Sequence, residues 1–101
     1  MKKTHLEKEI YKKIGSDMQE ARRKLNLTRD SFLQEMDGRE LQHDKDKDFF
    51  SIGYETYKSY ENGTRESPVS KFFIIAILLD MDLNNLKKDI QKDFHIEPIE
   101  K

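Results

Sequence analysis

Between residues 54 and 63 the chain reads Tyr-Glu-Thr-Tyr-Lys-Ser-Tyr-Glu-Asn-Gly, a stretch dense in side chains able to hydrogen-bond to the edges of nucleic-acid bases. Arg or Lys to guanine and Asn or Gln to adenine are the common bidentate readers, and Lys58 is the only such side chain at the centre of the stretch. Glu55 can accept from a cytosine amine, while Thr56 and Tyr54 can touch thymine methyls. Tyr54 has an equal alternative as the cap of an aromatic stripe, packed on Phe49 or Phe50.

Other chemistries fit less well. Asp44, Asp46, Asp48 and Glu55 occupy the first, third, fifth and twelfth places of an EF-hand-like calcium loop. Phe49 stands at the sixth place, where the sharp turn needs Gly, and Lys45 and Lys47 offset the charge, so the run reads as a solvated charge stretch. His5, His43 and His95 stand apart, without the spacing that specifies zinc. Neither a metal nor a cofactor is expected. With no Ser-His-Asp order, glycine-rich phosphate loop or isolated carboxylate pair, neither an enzyme nor a small-molecule substrate is expected.

The candidate reading residues need a helix to present them. Tyr54, Tyr57 and Tyr60 recur every three residues, as do Glu55, Lys58 and Glu61, which gives a helix an aromatic stripe beside a charged one. Asn62-Gly63 supplies left-handed geometry for its end, and residues 64–68 form a polar exit closed by Pro68. Upstream, Leu6, Ile10, Ile14, Met18, Ala21 and Leu25 step by four or three, which predicts a first helix over about residues 5–25. Lys12, Lys13, Arg22, Arg23 and Lys24 lie off that stripe, as a solvated basic face or as one turned to phosphate. Thr28 opens a second helix ending near Asp37-Gly38, with Phe32, Leu33 and Met36 buried and Arg29 outward in its first turn. Residues 39–52 read as a loop pinned to the core by Phe49, Phe50 and Ile52. Pro68 and Ser70 open an apolar helix to Leu79, so apolar on all sides that it is central or buries a second face on a partner. Asp82, Leu83 and Leu86 begin a last helix. Residues 87–101 form a tail in which Pro98 forbids helix.

At 101 residues, 35% hydrophobic and 39% charged, the chain is expected to be one small helical domain. Without cysteine, an apolar leader or a membrane-length apolar run, it is expected in the cytoplasm. The net charge of −1 argues against a strong nonspecific grip on nucleic acid. Its distribution is uneven: residues 1–27 carry eight basic and four acidic side chains, residues 28–53 four and seven.

In order, these elements resemble the lambda-repressor/Cro-like, or XRE-type, helix-turn-helix family. The resemblance rests on Met18 with Arg22, Leu27-Thr28, Phe32-Leu33, Tyr57, Tyr60-Glu61-Asn62-Gly63, Pro68, Ile75-Ala76-Ile77-Leu78 and Leu83 with Leu86, over roughly residues 10–86. It implies an all-α, compact five-helix domain over 1–86, with a long loop at 39–52 inserted between helices 2 and 3 and a C-terminal tail at 87–101. It also implies a structural ion pair between Arg22 and Glu61, and a contact from Arg29 to the DNA backbone. Tyr54, Glu55, Thr56, Lys58 and Ser59 would face the major groove, with Asn62, Thr64 and Arg65 at phosphates. Arg22 and Glu61 are 39 positions apart, about fourteen more than in the family, where helices 2 and 3 meet in a tight turn. Closure entropy rises by only about 0.6 kcal/mol per doubling of loop length, so the insertion is tolerable.

The function expected from the resemblance is that of a sequence-specific transcriptional regulator, a repressor type common in bacteria and phages. It would bind double-stranded DNA as a homodimer joined through the apolar faces of residues 72–86 and the tail. The alternative is a protein-interaction module of the same fold, antitoxin-like or an anti-repressor, using the 39–52 loop. The near-neutral charge and the insertion favour the module. The Glu-Asn-Gly helix end and the basic first helix favour the regulator.

Overall fold

The computed structural model describes residues 4–39 and 51–100, and among them five α-helices and no strand are found. The first, α1 (His5–Lys24), starts on a reciprocal cap in which the Thr4 hydroxyl accepts from the Glu7 amide and the Glu7 side chain accepts from the Thr4 amide. Thr28 and Ser31 repeat the device at α2 (Arg29–Gly38), where Ser31 stands in for the usual acid. The third helix, α3 (Tyr54–Asn62), ends on Gly63 at φ 72°. Pro68 precedes α4 (Val69–Leu78), and the Asp82 carboxylate caps α5 (Leu83–Phe94) by accepting from the Asn85 amide.

Met18 of α1, Phe32 and Met36 of α2, Tyr57 and Tyr60 of α3 and Ile75 of α4 form the core, with Ile52 and Leu79 closing it. The Phe32 and Tyr57 rings meet with centroids 5.3 Å apart and planes tilted by 49°. The α1 stripe outruns this core, leaving Leu6 and Leu25 at its two ends about half exposed. Helix α1 packs on α3 and α5, and α2 packs on α3.

Two expectations change. The tail does not begin at residue 87: α5 continues to Phe94, because Leu83, Leu86 and Ile90 keep a helical period and Lys13 of α1 holds Asp89 at 3.4 Å. Pro98 is too far downstream to end the helix, which stops instead at His95 with φ 56°. The apolar α4 is only partly central. Ile75 and Ala76 are buried, whereas Val69, Phe73 and Ile77 recur every four residues on a face that is 71, 48 and 76% exposed. Ile52 joins the core as expected; residues 40–50, with His43, Phe49, Phe50 and the Asp44/Asp46/Asp48 run, lie outside the described residues. Among the described residues no helix is long and apolar enough to cross a membrane.

Candidate nucleic-acid interface

The outward side of α3 depends on how its inward side is fixed. Gly15, in the middle of α1, lies so close to the end of α3 that a Cβ there would fall against the Tyr60 and Glu61 carbonyl oxygens. A methyl group would separate the two helices. Gly63 makes the next contact, where a Cβ would stand 2.6 Å from the Lys12 Cα, so both the left-handed backbone and the space call for glycine.

Between these points the Glu61 side chain is fully buried. Arg22 meets it in a fork, Nε donating to Oε2 at 2.7 Å and Nη2 to Oε1 at 3.1 Å, while Nη1 donates to the Leu27 carbonyl at 2.7 Å. Arg29 adds a second cation, its Nε donating to Glu61 Oε1 at 2.9 Å and its Nη2 to Asn62 Oδ1 at 3.5 Å. Burial alone pushes the Glu61 carboxyl up, but Arg22, the facing Tyr57 phenol and Arg29 hold it below the ordinary carboxylate range. The Tyr57 hydroxyl is itself buried and makes no hydrogen bond of good geometry among the described residues, and burial raises its pKa.

This arrangement corrects the place given to Arg29. Its side chain is only 19% exposed and turns in toward α3 rather than out, because a buried carboxylate draws every nearby cation. Arg22 likewise leaves the solvated face of α1 and is buried. The lysines of that face are matched by acids: Lys12 with Glu9 at 3.3 Å, Lys13 with Asp17 at 3.1 Å and Lys24 with Glu20 at 3.7 Å.

The remaining candidates lie along the outward side of α3, with Tyr54 at its edge toward Arg29. Tyr54, Glu55 and Asn62 are exposed, and Thr56, Lys58 and Ser59 are half-buried. The Ser59 hydroxyl donates back to the Glu55 carbonyl at 2.9 Å, and that of Thr64 to the Ser59 carbonyl at 3.3 Å. Arg65 folds over the helix, its Nη1 donating to Thr56 Oγ1 at 3.2 Å, which sets a guanidinium beside the exposed face. A hollow lined by Gln19, Arg23, Asn26, Arg29 and Tyr54 opens next to this face, between the end of α1 and the start of α2.

Gly15, the inward turn of Arg29 and the fold-back of Arg65 were not read from the sequence. Gly15 had a signal, since a lone glycine inside a helical period marks close backbone approach; the two arginines had none. Among the described residues no group of three or more His, Asp and Glu is placed to hold a metal ion. No family model, curated protein or solved structure matches the chain.

Proposed function

We propose that this chain is a sequence-specific DNA-binding regulator of lambda-repressor-like arrangement, reading the major groove with α3. The observation that carries the reading is the division of α3 into two faces. Tyr57, Tyr60 and Glu61 are buried, which turns Glu55, Lys58, Ser59 and Asn62 together to the other side, with Arg65 laid beside them. Lys58 is the guanine reader of this set, Glu55 the acceptor for a cytosine amine, and Arg65 with Thr64 the phosphate contact that sets register. The protein acts as a cytoplasmic homodimer, two copies placing α3 in successive major grooves about 34 Å apart. The exposed Val69, Phe73 and Ile77 stripe supplies the apolar surface that joins them.

Selection from random-sequence duplexes, followed by titration at two salt concentrations, tests this. An enriched two-fold symmetric site with salt-dependent binding is expected, and Lys58→Ala with Arg65→Ala should abolish retention while leaving the fold intact. Arg29 is left out of that pair because it belongs to the Glu61 junction. The rival, a protein-interaction module, is favoured by the net charge of −1 and by the same bare α4 stripe. Weak binding at low salt with no enriched motif would decide for it.

A further inference from the structure

The connection between α2 and α3 runs from Arg39 to Gly53, fifteen residues. A helix-turn-helix normally sets the angle between its two helices through a turn of about three or four residues. A connection of fifteen residues is not such a turn. Contacts between the helices must supply what the covalent turn does not. One is the Phe32–Tyr57 ring contact, which is apolar and weakly directional.

The second contact is directional. Arg29 is the first residue of α2, and its guanidinium bonds through two different nitrogens to the last two residues of α3, Glu61 and Asn62. It also faces Tyr54, the first residue of α3, across the hollow that both line. Tyr54 and Glu61 are seven positions apart, so they lie on one side of α3, the side that Arg29 faces. Glu61 is held in turn by Arg22 of α1, so one carboxylate joins three helices.

We infer that Arg29 is a positioning residue, a clasp that sets α3 against α2 in place of a short turn. Its consequence for base reading rests on the proposed DNA function, whereas the clasp itself does not. Two of its nitrogens are committed to α3, so its main effect on DNA is exerted through the aim of Lys58 and its neighbours. A lysine keeps the charge but cannot span Glu61 and Asn62 at once.

Hydrogen exchange on the full chain, wild type against Arg29→Met, tests the clasp without DNA. Exchange about tenfold faster is expected at the C-terminal end of α3 and in the first turn of α2, as befits loss of a charge-assisted hydrogen bond, with α4 and α5 unchanged. Unchanged exchange in α3, or a uniform rise across all five helices, overturns the clasp. If Arg29→Met does not fold, Arg29→Lys carries the same test with the same two outcomes. Where the wild type binds DNA, Arg29→Met should weaken binding with the salt slope unaltered. A slope reduced by about one marks Arg29 as a phosphate contact instead and overturns the assignment. Failure of the wild type to bind DNA sinks the proposed function and leaves the exchange result to decide the clasp.

Discussion

Glu61 is fully buried yet meets two arginines within 2.9 Å, whereas the outer face of α4, built almost wholly of apolar side chains, leaves Phe73 and Ile77 in water. Composition alone would assign these places the other way round. The seam between α1 and α3 is closed by this chain's own residues: a glycine lets the backbones meet, and the fork from Arg22 compensates the charge they enclose. Among the described residues the α4 face has no such closure. Its Val69, Phe73 and Ile77 form an apolar stripe of the kind that marks an interaction surface. Polar chemistry here fixes the internal geometry, and apolar surface is left exposed.

The sharpest way to break that comparison is to remove Arg22. Arg22→Ala leaves Glu61 buried with only the partly exposed Arg29, and breaking a buried pair from one side costs about 3–5 kcal/mol. Urea unfolding should show a loss in that range, and a loss below about 1 kcal/mol would mean that packing alone holds the seam. Acid gives a second readout. The folded Glu61 carboxyl lies below its ordinary value of 4.5, so the stability it contributes is complete above that pH and disappears as pH falls through the lower folded value. Wild type should therefore lose stability below pH 4.5 more steeply than Glu61→Gln, which has no carboxyl to protonate.

Gly15→Ala is expected to cost less, and its sign is what informs. In an ordinary helix interior the change gains roughly 0.5–1 kcal/mol. At Gly15 the new methyl meets the Tyr60 and Glu61 carbonyl oxygens, which are backbone and cannot rotate away. Overpacking of this kind costs about 1–3 kcal/mol. A stabilised Gly15→Ala protein would show that α1 and α3 are free to move apart, and the seam would lose its claim to be closed.

The local parts of this fold were legible because local rules specify them. Thr4, Thr28 and Gly63 announce helix ends, the steps from Ile14 through Met18 announce α1, and the Tyr57–Tyr60 spacing announces the buried side of α3. The Arg22–Glu61 pair came only through a family resemblance, since nothing in a spacing of 39 positions links the two. What stayed hidden depends on three-dimensional meeting. Arg29 and Arg65 look like free surface cations in a string of letters, and each is committed once α3 is in place. The end of α5 departs from expectation for a local reason: Pro98 excludes helix only in its own neighbourhood, and the period of Leu83, Leu86 and Ile90 carries the helix to Phe94.

The smallest change in stability belongs to the α4 stripe, and there the comparison can be sharpened. Ile77 is 76% exposed in the single chain, so Ile77→Ser should alter the stability of the monomer by no more than about 0.5 kcal/mol. Its effect belongs in the association of copies. Sedimentation should show the wild type as a dimer and Ile77→Ser shifted toward monomer. Folding linked to association also makes the melting temperature rise with protein concentration. Arg22→Ala should lower that temperature at every concentration and keep the dependence, because the α4 face is untouched. Ile77→Ser should remove the dependence and approach the wild-type value at high dilution. If both variants keep it, the copies meet through another surface; if the wild type shows none, the stripe serves a different partner.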